Sequence, residues 1–299
     1  VLTGSLILAY FGAALAVDSF FTGVPFCKWV CPLGQFNFAA SALSPFEVAA
    51  ADLAVCGACR TKDCLRGRRE GGALVQRGCE LGLFLPRKVG NMDCTFCLDC
   101  VAACPEGNAV LRPRLPGAEL FGDGWRSGVG RPSQRPDLAA LSALFLFGGL
   151  MNAWAMTAPA YEAAARVAAL LGSESPAAVL GVEFILGLAL LPVVLLAAAA
   201  ALSGGDDPHP RPAIRFAPTQ VPHGAGVWAA HNGFHLLTGF GTIVPAAQAA
   251  AEAAFGVALL GAPSWGLGGL SPAAAQGRGQ GFLALGLIGS LTATARLAA

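Results

Sequence analysis

Four cysteines between positions 94 and 104 have the spacing of metal-cluster ligands. Cys94, Cys97, Cys100 and Cys104 follow the pattern C-x2-C-x2-C-x3-C, and Pro105 comes directly after them. This is the bacterial ligand pattern for [4Fe–4S] clusters. The first three thiolates share one tight loop and can reach three irons of one cube, whereas in two-cluster proteins the fourth cysteine binds the other cluster. The run therefore predicts a second cluster whose other ligands lie elsewhere.

Cysteines for that second cluster lie upstream. Cys56, Cys59 and Cys64 form a compact C-x2-C-x4-C trio, and Cys79 stands alone. The predicted pairing is crossed, with two sites of four cysteines each: a first site of Cys56, Cys59, Cys64 and Cys104, and a second site of Cys94, Cys97, Cys100 and Cys79.

Three other interpretations compete with two clusters. Structural zinc also uses C-x2-C pairs, but a zinc ribbon leaves the third cysteine of each trio and Pro105 without a role. One cluster with a degenerate half-site is the second alternative. Disulfides are the third, and cysteines this close together in an arginine-rich loop are more typical of a reduced, metal-binding segment.

Two further cysteines lie near the start of the chain. Cys27 and Cys31 belong to a C-x3-C-P motif that ends at Pro32. Residues four apart share one face of a helical turn, so the two thiols can bind a metal or relay redox chemistry. The alternative is a pair of small, buried side chains at a helix start. The apolar spacing from Pro32 to Val48 predicts a helix at the membrane surface.

The composition is that of a membrane protein with one polar insert. Of 299 residues, only 12% are charged and 55% are hydrophobic, whereas about a quarter of a soluble domain is charged. All ten cysteines lie between Cys27 and Cys104, and 14 of the 19 lysines and arginines lie between Lys28 and Arg135. The net charge of +1 gives no indication of a nucleic-acid partner, and none is predicted.

Four domains are expected along the chain. Residues 1–49 hold a first transmembrane helix, the C-x3-C-P motif and the surface helix, residues 50–115 hold the two clusters, residues 116–136 are a linker, and residues 137–299 form a transmembrane helical domain. About five apolar spans are predicted, namely Leu2–Val17, Leu138–Ala160, Ala177–Leu202, Val221–Ala247 and Gly281–Leu297. The apolar stretch Ala253–Leu270 is broken by Gly261, Pro263, Gly266 and Gly268 and is predicted to be re-entrant or superficial.

The loop charges predict the orientation. The insert holds most of the lysines and arginines and the connection at 203–220 holds Arg211 and Arg215, whereas the connections at 161–176 and 248–280 hold one arginine each. Because positive loops stay in the cytoplasm, the cluster segment is predicted to be cytoplasmic.

Ionisable residues at membrane depth are candidates for function. Glu183 lies inside a predicted span, and His231 and His235 are four apart in another. They could form a quinone and proton site. Haem b is a second possibility. Two histidines on one helical face cannot bind opposite faces of a haem, and His209 lies in a loop. A second axial ligand would therefore have to be His223 or come from a partner. Hydrogen bonding between helices is the third.

These motifs resemble those of one family, the membrane-anchored polyferredoxins of nitrate and nitrous-oxide respiration and cytochrome-oxidase assembly. The resemblance rests on the C-x3-C-P of Cys27, Cys31 and Pro32 and on the cysteine run from Cys94 to Pro105, and it covers about residues 1–115. It implies a multi-pass protein of the bacterial inner membrane with two cytoplasmic [4Fe–4S] clusters. This chain departs from the family in having one membrane-proximal C-x3-C-P and Glu80 after Cys79.

The expected fold is a mainly α-helical membrane protein with a cytoplasmic, bacterial-ferredoxin-like α+β insert carrying two clusters. The expected function is electron transfer between a cytoplasmic or quinone-pool donor and a membrane or periplasmic redox partner, such as a cytochrome, within a larger redox complex. The alternative is a factor that handles copper or assembles a respiratory complex through Cys27 and Cys31. A redox-sensing protein ranks lower, because no output domain is visible.

Overall fold

The computed structural model describes residues 2–202, 212–266 and 268–299, and it is mostly helical. Arg211 and His209 lie outside these residues. The helices are α1 (Leu2–Phe20), α2 (Pro32–Ala40), α3 (Leu53–Ala58), α4 (Asp63–Arg66), α5 (Asp99–Ala103), α6 (Pro136–Trp154), α7 (Ala158–Leu171), α8 (Pro176–Leu202), α9 (Pro212–Phe216), α10 (Val221–Gly239), α11 (Ile243–Phe255) and α12 (Pro272–Ala298). The strands are β1 (Phe46–Ala50), β2 (Arg68–Glu70), β3 (Ala73–Gln76) and β4 (Ala109–Pro113).

Three of the described helices are long and apolar enough to cross a membrane. They are α6, the first part of α8 (Pro176–Leu195) and α12. Each begins at a proline, whose fixed φ suits the first helical position and whose missing N–H would be unpaired there anyway. Helix α1 has a shorter apolar stretch, Gly4–Phe20. The described residues thus hold three candidate spans where about five were predicted, which indicates a membrane protein.

The predicted span from Val221 to Ala247 is not a single helix. Helix α10 ends at Gly239, a 3₁₀ turn covers Phe240–Thr242, and α11 starts at Ile243. The α10 sequence includes three histidines and four glycines, which lower its hydropathy, and it is not among the three candidate spans. From Gly256 to Ser271 the described residues form no helix, in agreement with a predicted break in this stretch.

The chain forms two compact units. Unit 1 comprises Val1–Phe145, Ala197–Val221 and Thr292–Ala299, and unit 2 comprises Leu146–Leu196 and Pro222–Leu291. All ten cysteines belong to unit 1, whereas Glu183, His231 and His235 belong to unit 2.

A two-stranded sheet supports the cysteine segment of unit 1. Strand β1 pairs antiparallel with β4, so that Val48 faces Leu111 and Ala50 faces Ala109. Val48, Ala50, Ala109 and Leu85 form a buried hydrophobic cluster, against which Cys56, Cys100 and Cys104 pack. This ladder joins the chain before the cysteines to the chain after them. Strands β2 and β3 form a separate hairpin, so the sheet content is small.

Two predicted boundaries in unit 1 differ from the structure. The surface helix expected from Pro32 to Val48 stops at Ala40, and β1 begins at Phe46. Pro45 has no N–H to continue a helix, and the Ser44 hydroxyl accepts the Phe46 N–H at 3.2 Å. The expected boundary between residues 49 and 50 therefore falls inside β1.

The expected linker at 116–136 is packed into unit 1. Glu119, Leu120, Arg126, Val129 and Ser133 are all buried. Glu119 accepts the Asn91 N–H and the Ser127 hydroxyl accepts the Phe84 N–H, so the Pro- and Gly-rich turns of this segment are packed against the cysteine segment.

Glycines allow the helices of unit 2 to approach closely. A Cβ placed on Gly226 of α10 would stand 2.5 Å from the Phe282 carbonyl oxygen and 3.2 Å from the Gly286 Cα of α12. Gly149 of α6 likewise faces Val227 and Trp228 of α10. Small residues at such contacts are typical of helix packing in membranes.

Candidate metal centre

Short helices position the four cysteines of the first site. Cys56 lies in α3, Cys59 ends that helix, Cys64 lies in α4 and Cys104 directly follows α5. The Asp52 carboxylate caps α3 by accepting the Ala54 N–H at 2.7 Å. Each thiol therefore sits at or near the end of a helix, where the backbone changes direction.

Asn108 joins two of these cysteines that are far apart in sequence. Its side-chain amide donates to the Cys56 sulfur at 3.1 Å, and its backbone N–H donates to the Cys104 sulfur at 3.3 Å. The same side chain donates to the Asp52 carbonyl at 2.7 Å and accepts the Asp52 N–H at 2.9 Å. Asn108 is buried, and its bonds hold Cys56 and Cys104 close to one another.

The electrostatics of Cys64 agree with this grouping. Burial raises the pKa of the Cys64 thiol, and neighbouring thiols raise it further. Those thiols are Cys104, Cys56 and Cys59. Lys62 acts in the opposite direction, because its positive charge favours a thiolate.

A strongly turned loop presents the cysteines of the second site. Asp93, Phe96 and Leu98 all have positive φ, between 59° and 65°. Non-glycine residues rarely adopt this conformation, and turned segments of this kind direct successive backbone N–H groups to one side, as at many iron–sulfur sites. A hydrogen bond from the Phe96 backbone acts to lower the pKa of Cys94, although burial raises it overall.

Cys79 joins the second site from its own segment. The Leu83 N–H donates to the Cys79 sulfur at 3.3 Å. Burial first, and then neighbouring thiols, raise the pKa of Cys100 to about 11. Those thiols are Cys79, Cys94, Cys97 and, from the first site, Cys64. The two sites are neighbours, since the Cys79 N–H also donates to the Cys64 carbonyl at 2.9 Å.

Backbone strain is concentrated around the cysteines. The described non-glycine residues with positive φ are Val24, Lys62, Asp93, Phe96 and Leu98. Every one of them lies within three residues of a cysteine. Such conformations cost of order 1–3 kcal/mol each and cluster at functional sites.

A buried ionic cluster anchors the start of the second-site loop. The Glu119 carboxylate, whose side chain is fully buried, accepts the N–H groups of Asn91 and Met92 at 3.3 and 3.5 Å. Arg114 and Arg126 each lie 3.4 Å from it. This cluster immobilises the backbone just before Asp93 and Cys94.

The C-x3-C-P motif lies against the same loop. Phe26–Val30 forms a single π-helical turn, and the Cys31 sulfur accepts the Gly34 N–H at 3.3 Å and is hydrogen-bonded to the Tyr10 hydroxyl. Burial acts to raise the pKa of Cys31, but these hydrogen bonds outweigh it and lower the pKa. Cys27, in contrast, is exposed.

An ion pair connects this motif to the second site. The Lys28 ammonium lies 2.9 Å from the Asp93 carboxylate, whose side chain is only 6% exposed. Cys27, Cys31 and Cys94 line one cleft of about 910 Å³, together with Gln35 and Asp137. We call it the Cys27–Cys94 cleft.

Both sites have a ligand set that fits a [4Fe–4S] cluster. In the described residues, no three His, Cys, Asp or Glu side chains are close enough to hold one metal ion. A four-iron cube takes each thiolate on a different iron, so its ligands stand farther apart than those of a single ion. The four thiols per site, the N–H groups donated to sulfur and the adjacent lysines all suit an anionic cluster.

The structure separates the predicted polar residues of unit 2. The Asn152 amide of α6 lies 3.0 Å from the His231 Nε2 of α10, and the His231 and His235 rings are 4.8 Å apart. Glu183 lies on α8, and no hydrogen bond joins it to either histidine in the described residues. The structure therefore agrees with the third interpretation, hydrogen bonding between helices, which it shows for Asn152 and His231.

Neither a protein-family model, nor a curated protein, nor a solved structure matches this chain significantly. The site must therefore be interpreted from its own residues.

Sequence reasoning missed two residues of the centre. Asn108 follows Gly107 in an ordinary turn sequence, and Glu119 lies in the expected linker. A carboxylate in a Pro- and Gly-rich segment gives no local signal that it will be buried, because Arg114 and the N–H groups of Asn91 and Met92, which pair with it, lie outside that segment.

Proposed function

We propose that this chain is a membrane-bound electron-transfer protein that holds two [4Fe–4S] clusters. The pair of hydrogen bonds from Asn108 to Cys56 and Cys104 carries the proposal, because it places the last cysteine of the downstream run beside the upstream trio. The crossed ligand set of a two-cluster protein has this connectivity.

The protein's own groups would tune these clusters. N–H donors to sulfur and nearby positive charge raise a cluster's reduction potential, and Asn108, Leu83 and Lys62 supply such groups. When bound, each cluster stores one electron. The contact between the segments of Cys64 and Cys79 makes the two sites neighbours, so an electron can pass from one to the other.

The cellular setting follows from the loop charges. The lysines and arginines of the cysteine segment favour a cytoplasmic position, the three candidate spans favour a membrane location, and the resemblance to the membrane-anchored polyferredoxins suggests the bacterial inner membrane. In this arrangement the chain relays electrons between a cytoplasmic or quinone-pool donor and a membrane or periplasmic partner, as a subunit of a larger redox complex. The cysteine segment is accordingly proposed to be a ferredoxin-like α+β domain.

Metal analysis of paired cysteine variants tests the proposal. The unmodified protein should contain about eight irons, as two cubes require. With crossed pairing, the double variant Cys56→Ala/Cys104→Ala removes two ligands of one site and should retain about four irons. The matched variant Cys56→Ala/Cys79→Ala damages both sites and should retain almost none.

Two results would contradict this assignment. If the two double variants exchanged their iron contents, the pairing would be sequential. If the intact protein held stoichiometric zinc and no iron, the electron-transfer function would be rejected.

A second candidate function is supported by the C-x3-C-P motif. The Cys31 pKa is lowered, Cys27 is exposed, and both line the cleft that contains Cys94. A metal-handling or assembly factor would use these thiols directly. The Cys27→Ser/Cys31→Ser variant separates the two functions, because an electron relay keeps its iron and its electron flux, whereas an assembly factor keeps its iron and loses its activity.

A further inference from the structure

The Cys27–Cys94 cleft has the size and lining of a small-molecule site. Its volume of about 910 Å³ falls within the usual range for such sites. Apolar and aromatic side chains, including Trp29, Phe38 and Leu141, line it beside polar groups such as Asn37 and Thr95. The lining thus suits a ligand with a large apolar part and a few polar atoms.

The charges of the lining favour a neutral ligand. Its charged residues are two cations, Lys28 and Arg135, and two anions, Asp93 and Asp137. They form two ion pairs, at 2.9 Å for Lys28–Asp93 and 2.5 Å for Arg135–Asp137. A phosphorylated cofactor such as a flavin nucleotide would need unpaired cations, and each cation here already has a carboxylate partner.

The position of the cleft favours a ligand dissolved in the membrane. Asp137, Leu138 and Leu141 belong to the first turns of α6, one of the three candidate spans. Trp29 and Leu33, which also line the cleft, are 75% and 67% exposed. Exposed tryptophan beside the end of a span is typical of the membrane–water interface.

We propose that the Cys27–Cys94 cleft binds the head group of an isoprenoid quinone next to Cys94 of the second site. The inference rests on the proposed function, since the clusters are the electron partners of this ligand. Oxidation of a quinol to its quinone releases two electrons and two protons. Clusters held by the two cysteine sites would accept one electron each, and the two protons would pass to water beside Asp137, which lines the cleft with its side chain 63% exposed.

This location differs from the one that the membrane residues suggested. Glu183 and His231 belong to unit 2, where His231 is already hydrogen-bonded to Asn152. The Cys27–Cys94 cleft, in contrast, has polar and apolar side chains directly beside Cys94, a predicted cluster ligand.

Binding of a short-chain quinone analogue to the iron-loaded protein in detergent tests the proposal. The variant Leu141→Trp places a larger, rigid side chain in the cleft and should weaken analogue binding by about tenfold or more. The matched control is Leu144→Trp on the same helix, because Leu144 is 46% exposed and does not line the cleft. It should bind within about twofold of the unmodified protein.

Photo-crosslinking with an azido-quinone supplies a second measurement that does not depend on variant folding. Labelled peptides should come from residues 24–41 and 91–96. Labelling around Glu183 and His231, or equal affinity of Leu141→Trp and Leu144→Trp, would overturn the inference. Iron content and the low-temperature spectrum of the reduced clusters are recorded in parallel, so a missing quinone site is distinguished from missing clusters.

Discussion

The first site is held together by one side chain, whereas the second is held by its backbone. Asn108 bridges Cys56 and Cys104 with two hydrogen bonds to sulfur. The second site depends on three left-handed residues between positions 93 and 98 and on the buried Glu119 that anchors the preceding N–H groups. The positions of the thiols thus depend on a side-chain amide at the first site and on a strained loop at the second.

This difference predicts how each site fails. A strained loop keeps its conformation only when contacts with the surrounding residues hold it there. Small steric changes near Glu119 should therefore affect the second site severely. A side-chain bridge can be removed while the backbone stays in place, so the first site should respond in a graded way.

The largest effect is expected for Gly90→Ala. Gly90 has a φ of +70°, and a Cβ there would stand 2.0 Å from a Glu119 carboxylate oxygen and 2.5 Å from the Arg114 guanidinium. Because these groups are buried and paired, they cannot move aside without breaking ion pairs. We expect the second-site loop to lose its conformation and the purified protein to retain only about four irons.

Gly71→Ala is the matched control for that experiment. Gly71 also has a positive φ, +57°, but nothing lies within 4 Å of the added Cβ. This variant should lose roughly 1–2 kcal/mol of stability from the left-handed backbone alone and keep its full iron content. Equal iron loss in both variants would show that the Glu119 contact is unimportant.

The next effect is expected for Glu119→Gln. The neutral amide leaves the buried Arg126 without its ion-pair partner and leaves Arg114 with Glu47 alone. Removing one partner of a buried ion pair typically costs about 3–5 kcal/mol of unfolding free energy. Denaturant unfolding measures this loss, and a redox titration should show a change confined to the second cluster. Glu70→Gln is the control, because its pair with Arg68 is 3.7 Å long and largely exposed. A stability loss as small as that control's would contradict the anchoring role.

The smallest effect is expected for Asn108→Ala. The variant loses the side-chain bonds to Cys56 and Asp52 but keeps the backbone N–H that reaches Cys104, and we expect a cost of about 1–3 kcal/mol. Removing one N–H donor to sulfur should lower the potential of the first cluster only. A titration in which both clusters shift equally would argue against an assignment of Asn108 to one site.

The grouping of eight cysteines into two quartets stays a prediction, and it could be made from the sequence because ligand spacing is a local property of the chain. A C-x2-C-x2-C run places three thiols on one loop in any fold, and the proline after Cys104 marks where the fourth thiol leaves it. Asn108 and Glu119 were not predictable, since each acts on residues brought close by the pairing of β1 with β4 and by the packing of residues 116–136. The interruption of the predicted span at Gly239 was missed for a related reason, because hydropathy averages over a break in the helix.

Composition and spacing alone determined that this is a membrane chain with apolar helices and a cysteine-rich polar segment, because apolar runs and cysteine intervals are read within a few turns of backbone. Only the tertiary structure decided that Asn108 joins Cys56 to Cys104, that Glu119 lies under the Cys94 loop, and that the C-x3-C-P motif shares a cleft with Cys94. Each of these depends on contacts between residues far apart in sequence, and such contacts are specified by the folding of the whole segment around its small sheet.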